Sequence, residues 1–348
     1  MNKDLQNKEK YLFFDDATML QCNLKCTYCR SKTINLNKVG IRKLEESFVK
    51  GVQIVDDNTD YAIIKLFGYG EFTLLPRFLD LIKKYHENHI SKSIQLISNG
   101  TLLNEPIVKE LSEISMLNMC ISLDGPVPEM NSCRTKSKKL LKKVLDNISL
   151  IIEYGIPLEI NSVLTVQNTA TFDKLLEYLN SLDGKVISFP FPVRPFPELD
   201  NSNLFPNSIH IEKFKSNVIG NYEIYSHVLP PKEYLNRLVE FMEKGERKWN
   251  CYVAYANIGV DQDGNLLLCA CGPKKTLGNI FEKSHSTFAK KRNIKPKIRW
   301  EGCDYCFNHY ELLNLYFDNL IELGSLTKIP SLNYDSVRNR LNYLKSGV

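Results

Sequence analysis

The chain has 348 residues, 43% of them hydrophobic and 24% charged, an ordinary globular balance with room for one barrel-sized domain of about 200–250 residues and a smaller appendage. Its formal charge of +5, from 45 basic and 40 acidic residues, is spread along the chain, and the lysines between Lys136 and Lys143 fall on the wet face of an amphipathic helix, so no nucleic-acid partner is expected. No run approaches the ~18 consecutive apolar residues of a membrane span, and the polar segment Met1 to Lys10 lacks the apolar core of a secretory signal, so a cytoplasmic location without membrane contact is expected.

In chain order, a hydrophobic strand at Tyr11–Met19 leads into Gln21-Cys22-Asn23-Leu24-Lys25-Cys26-Thr27-Tyr28-Cys29. This C-x3-C-x2-C spacing supplies three thiolates within eight residues. A cubane iron–sulfur cluster is normally held by four cysteines, so three leave one iron open to a ligand that is not protein. A zinc knuckle or buried structural thiols are the alternatives, but four-coordinate zinc needs a fourth ligand nearby. No His or Cys lies between Cys29 and His86. Further strands are expected at Tyr61–Phe67, Ser93–Ile97, Asn118–Leu123, Leu158–Val166 and Lys185–Val193. Helical patterns separate them, as at Lys138–Tyr154, where Leu141, Val144, Leu145, Ile148 and Ile152 recur at helical steps. Six βα units imply a parallel sheet. Six are fewer than the eight of a closed barrel, which predicts an α/β fold with a partial (β/α)6 TIM-like barrel and ligands at the carboxyl ends of the strands.

Five prolines between Pro190 and Pro206 mark the end of the barrel. A helical linker at Pro231–Lys244 leads to a second cysteine zone, and a helix follows Cys306 to about Leu323, with Leu312, Leu313, Tyr316, Leu320 and Leu323 at helical spacing. The expected organisation is a barrel core at 11–205, a linker at 206–250, the second cysteine zone at 251–310 and C-terminal helices at 311–348. In the second zone Cys251, Gly264 and Cys269 read C-x12-G-x4-C, the segment Val260–Asn265 reads as a hairpin turn, and Cys303-x2-Cys306 follows. Four thiolates would fill either a 4Fe–4S cluster or a zinc-ribbon site.

The front run, with Tyr28 just before its third cysteine, resembles the radical S-adenosylmethionine (AdoMet) superfamily. The resemblance implies a first cluster on Cys22, Cys26 and Cys29 whose open iron is chelated by AdoMet. One electron from that cluster cleaves AdoMet to methionine and a 5′-deoxyadenosyl radical, which takes a hydrogen atom from substrate. Gly68-Tyr69-Gly70-Glu71-Phe72 resembles the family's Gly-Gly-Glu-Pro motif, with Tyr69 and Phe72 departing from it. The implied AdoMet contacts are Tyr28, Gly70, the acid of Glu71 on the AdoMet ammonium, Ser98, Asn99, Ser122 and, through the adenine, Val166. Arg134 is a candidate for the AdoMet carboxylate, with a surface arginine as its alternative. Asn-Gly after Ser98 and Asp-Gly after Leu123 are also ordinary turn formers. The back zone resembles the SPASM and twitch extensions, in their shorter form. This implies a small C-terminal iron–sulfur domain with one auxiliary 4Fe–4S cluster on Cys251, Cys269, Cys303 and Cys306, in which Cys271 is an alternative to Cys269. Cys120 and Cys133 are candidate hydrogen-atom donors to a product radical or, equally, small buried hydrophobes.

The resemblance implies an oxidoreductase, fed by a flavodoxin- or ferredoxin-type electron donor, that modifies a ribosomally synthesised peptide by crosslinking, dehydrogenation or epimerisation. Its alternatives are a dehydrogenase of a small polyol or aminosugar and, from another class, a non-catalytic metal-binding scaffold. With the first strand at Tyr11, no N-terminal leader-binding domain is expected.

Overall fold

The computed structural model describes residues 8–17, 21–29, 38–66, 70–195, 199–269, 276–292, 294–296 and 303–348. Six strands run parallel: β1 (Glu9–Asp16), β2 (Thr59–Leu66), β3 (Ser93–Ser98), β4 (Leu117–Ser122), β5 (Leu158–Leu164) and β6 (Val186–Pro192). The helices α1 (Lys38–Asn58), α2 (Phe78–Asn88), α3 (Glu105–Ser112), α4 (Lys138–Glu153) and α5 (Asp173–Asn180) connect them in alternation. Each parallel pairing needs such a crossover, and the strands are buried on both faces because helices cover one side and the barrel interior lies on the other. The local signals agree with this layout. In α4, Ser137 caps the first turn by accepting from Leu140 N, and Leu141, Val144, Ile148 and Ile151 form the buried stripe. Pro190 and Pro192 lie inside β6, which is tolerable because β6 is the last strand of the sheet and its far side needs few ladder donors.

The chain then forms α6 (Ser208–Phe214), α7 (Tyr222–Tyr225) and α8 (Lys232–Lys244), so helices begin well before the expected linker helix. After α9 (Val253–Ala256), β7 (Asn257–Val260) pairs parallel with β1, and β8 (Asn265–Leu267) and β9 (Thr276–Asn279) continue antiparallel. Nine strands among the described residues thus form one sheet in the order β6-β5-β4-β3-β2-β1-β7-β8-β9. The second cysteine zone is therefore continuous with the barrel sheet and covers the otherwise open edge of β1. Its turn is built as the sequence suggests: Asp261 Oδ1 accepts from Asp263 N (3.0 Å) and Asn265 N (2.9 Å), and Gly264 has φ +78°.

The rest of the chain is α10 (Ile280–Arg292), α11 (Glu311–Phe317), α12 (Leu323–Leu326) and α13 (Asp335–Lys345). The single helix expected after Cys306 is broken at Asn319, where φ is +60° and the chain reverses. The periodic leucines beyond it belong to a second, differently directed element. This segment closes the amino ends of the strands. Arg340 donates to Tyr11 O (2.6 Å) and Asp60 O (2.8 Å), Ser331 N donates to Glu159 Oε1 (3.1 Å), and Asn118 Nδ2 donates to Tyr334 OH (3.1 Å). No helix among the described residues is long and apolar enough to cross a membrane.

Gly264 is the sharpest test of the hairpin. A Cβ there would lie 2.4 Å from a ring carbon of Phe281, in a backbone conformation that L residues avoid. Gly264→Ala should cost at least about 1–2 kcal/mol from the backbone conformation alone, read as a lower denaturant midpoint. An unchanged midpoint would show that the turn is not closed as described.

Candidate functional site

The front cysteine loop crosses the carboxyl ends of the barrel strands in sequence. At the end of β2, Gln21 O accepts from Glu71 N (3.0 Å). At the end of β3, Asn99 Nδ2 donates to Asn23 Oδ1 (2.8 Å) and approaches Cys22 Sγ (3.7 Å), while Asn23 Nδ2 donates to Thr101 Oγ1 (2.7 Å). Beyond β4, Thr27 N donates to Cys133 O (2.8 Å) and Tyr28 OH donates to Asp124 Oδ2 (2.5 Å). Leu24, Cys26 and Tyr28 pack with Val163 of β5 and with Val193 and Leu204 beyond β6. The loop is thus held by strand ends that lie far apart in sequence.

The three thiols lie side by side in the front loop. Cys26 is buried, and Cys22 and Cys29 are half-buried beside it. Burial raises the thiol of Cys22 and pushes that of Cys26 up to about 11, and each neighbouring thiolate adds to the cost of ionising them. The opposing groups are the N–H of Leu24 (3.4 Å) and the amide of Asn99 at Cys22, and the Arg134 cation at Cys26. Such thiols give up their protons to a strongly cationic centre.

Of the residues that the resemblance assigns to AdoMet, several make hydrogen bonds within the protein. Glu71 is 1% exposed. Its Oε1 accepts from Thr73 N (3.2 Å), Thr73 Oγ1 (2.5 Å) and Ser98 Oγ (2.8 Å), and its Oε2 accepts from Asn99 N (2.6 Å). Burial pushes this carboxyl upward while the four donors oppose the shift. The acid therefore locks β2 to β3. Arg134 donates to Tyr28 OH (2.7 Å) and lies 3.7 Å from Asp124, with only 10% of its side chain exposed, so it is neither a surface arginine nor aimed at a ligand carboxylate. Tyr28 is likewise occupied by Asp124 and Arg134. Ser98 donates to Glu71, Gly70 and Ser122 are half-buried at strand ends, and Val166 is held by its backbone N–H to Leu204 O (3.0 Å). Residues 67–69 of the glycine motif lie outside the described residues.

In the back zone, Arg247 joins three cysteines. Its Nη2 donates to Cys303 O (3.0 Å), and its charge acts on both Cys251 and Cys306. Arg194 Nη2 (3.4 Å) and Asn308 Nδ2 (3.5 Å) reach Cys306 Sγ. Burial pushes the Cys251 thiol up to about 11 against the pull of Arg247. Cys269, at the end of β8, is associated instead with Lys291, whose buried ammonium is lowered to about 7 with Cys269 opposing the shift. Cys271 lies outside the described residues. No single-ion site is formed here among the described residues, and none of the nine described cysteines is in a disulfide. Cys120 is buried within the barrel beside Glu159. Cys133 is buried against the front loop, with Sγ 3.4 Å from Gln167 Oε1.

Sequence reading missed Asn23, Thr101 and Asp124 as supports of the loop, and it missed the charged groups inside the barrel. Asp15, Lys65 and Glu159 are each at most 3% exposed. A lone lysine in the otherwise apolar end of β2 was the available signal, since period-two alternation points it into the barrel.

Residues 18–182 match the sequence profile of the Radical SAM superfamily. An uncharacterized protein of Methanocaldococcus jannaschii is 28% identical over 298 residues, covering 81% of this chain and 91% of that one. A cysteine-type anaerobic sulfatase-maturating enzyme of Clostridium novyi is 29% identical over 182 residues. The match covers 48% of this chain and 47% of the enzyme, so the chain matches about half of that relative's length. Among solved structures, Streptococcus suis SuiB bound to its precursor peptide SuiA superposes with a TM-score of 0.59 at 13% identity, over 83% of this chain and 68% of SuiB, which establishes a shared fold.

Glu71→Gln should lower stability by about 1–3 kcal/mol, because an amide NH2 replaces an acceptor that faces buried donors. The measurement is a denaturant titration of the iron-free protein. A neutral effect would mean that the carboxylate does not join the strand ends.

Proposed function

We propose that this chain, whose residues 18–182 match the Radical SAM superfamily, is a radical SAM enzyme that cleaves AdoMet reductively at a cluster held by Cys22, Cys26 and Cys29 and uses the resulting radical to take a hydrogen atom from a peptide. The observation that carries this reading is the front loop. Three adjoining thiols, of which Cys22 and Cys26 are costly to ionise unaided, are held across the strand ends by N–H groups and one buried arginine. A 4Fe–4S cluster bound there supplies one electron to AdoMet at its remaining iron.

The chain's own residues do the positioning. Asn99 and the backbone of Leu24 direct N–H groups at Cys22, which favours its thiolate. Arg134 places a cation beside Cys26, and its pairing with Asp124 and Tyr28 keeps that cation fixed. Gly70, Ser122 and Val166 are the candidates for direct AdoMet contact at the ends of β2, β4 and β5. Cys251, Cys269, Cys303 and Cys306 are the candidates for an auxiliary cluster, supported by the arginines that neutralise charge around Cys251 and Cys306. The peptide assignment rests on the relatives: one is a sulfatase-maturating enzyme and another is bound to a precursor peptide.

Anaerobic reconstitution should load about eight irons per chain, and a Cys22/Cys26/Cys29 triple alanine variant about half of that. Zinc at one equivalent without iron would overturn the reading. Under dithionite the loaded wild type should convert AdoMet to 5′-deoxyadenosine and the triple variant should not. Cys251→Ala should lose the irons of the second site only, and a full complement in that variant would exclude Cys251 as a ligand.

A further inference from the structure

A cation and an imidazole meet in the barrel interior beneath the front loop, and neither belongs to the machinery above. Lys65 is the penultimate residue of β2, pairs in register with Asp15 of β1, and is 1% exposed. Its ammonium contacts His309 Nε2 and lies over the rings of Phe13 (4.4 Å) and Tyr310 (4.2 Å). Asp15 supplies the balancing charge and itself accepts from Tyr310 OH (2.5 Å) and Asn257 Nδ2 (2.5 Å). Both strands end here, on the side of the barrel where the cysteine loop crosses.

This contact settles the form of the imidazole. An ammonium has three donors and no acceptor, so His309 Nε2 must accept and the ring proton must reside on Nδ1. The ring stands against Phe191 in the carboxyl half of β6 (6.0 Å between centroids) and remains partly exposed. No described residue hydrogen-bonds its Nδ1. Burial, then Lys65 and Arg194, hold its protonation well below the ordinary histidine range, so the ring is neutral. Both charged groups acting on it are cations. A neutral ring in this tautomer keeps an Nδ1–H donor in a positive field, which suits an anionic oxygen. It is poorly suited to accept a proton from substrate.

We propose that Lys65 and His309 form a carboxylate-anchoring pair in the barrel interior, with Lys65 fixing the Nδ1–H tautomer and His309 donating to a carboxylate of the peptide substrate. This rests on the peptide reading above. A peptide offers that group either as an Asp or Glu side chain or as its C-terminus, and both present the same two acceptor oxygens.

The test uses the anaerobic holoenzyme with AdoMet, labelled with 15N-histidine and held in its oxidised cluster state, with acetate as the probe and acetamide as its neutral counterpart. His309 should show a protonated Nδ1 and an unprotonated Nε2, and acetate should shift Nδ1–H at about tenfold lower concentration than acetamide. Saturation transfer to the acetate methyl should weaken about tenfold or more in His309→Leu. In His309→Asn it should be retained within about threefold, because the amide N–H takes the place of Nδ1–H. N-acetylglycine competing better than N-acetylaspartate amide would assign a C-terminal carboxylate, and the reverse a side chain. A protonated Nε2, or acetate binding equally to wild type and His309→Leu, overturns the pair. Formation of 5′-deoxyadenosine in parallel aliquots reduced with dithionite keeps the two claims apart: its absence from loaded wild type overturns the radical reading, whereas its presence with no acetate effect overturns only the anchoring pair.

Discussion

The carboxylate of Glu71 is the joint on which the front of the molecule depends. Burying an anion is costly unless its oxygens are met by donors, and here four donors from Thr73, Ser98 and Asn99 meet them. That requirement holds the ends of β2 and β3 in one relative position. Asn99, fixed by its own N–H to Glu71, then extends its side chain to Asn23 and Cys22, so the cysteine loop inherits its place from a joint it does not touch through any thiol. A second buried acid, Asp124, repeats the arrangement at β4. It accepts from Tyr28 OH and Val163 N and pairs with Arg134, which fixes the other end of the loop.

The interior of the barrel is finished by chain from far downstream. Six parallel strands leave an open sheet whose inner face carries Asp15, Lys65, Gln95 and Glu159. These are met by His309 and Tyr310, by the backbone of Ser331 and by one another. The cost of burying such charges is offset only when every partner is present. The segment after the second cysteine zone is thus part of the barrel's own polar network, and β7 completes the same closure by pairing with β1. Cys306 and His309 lie on one short stretch, so the back cysteine zone and the barrel interior are mechanically a single unit.

The six strands and α4 were legible within about three residues because each carries its own periodicity, and the hairpin of the back zone was legible because Asp261 and Gly264 encode their turn locally. The reversal at Asn319 was not: the leucines on both sides of it sit at helical spacing, and only a positive φ separates two short helices that face different neighbours. Glu71 and Arg134 were recognised as belonging to the site, but the hydrogen bonds they make to neighbouring strand ends and to Tyr28 were not. A motif marks a residue's position on a strand end, but whether its charge faces a ligand or another strand depends on which groups the neighbouring strands bring up.

The sequence by itself determined a partial βα barrel with three cysteines on its first loop and four more behind it, because spacing, turn chemistry and strand periodicity are written in contiguous residues. Only the tertiary structure decided which charges are structural and which face the barrel interior. Lys65 and His309 are 244 positions apart, and nothing in either local stretch records that they meet. That meeting follows from strand register, the parallel order of the sheet and the path of the C-terminal segment across its base.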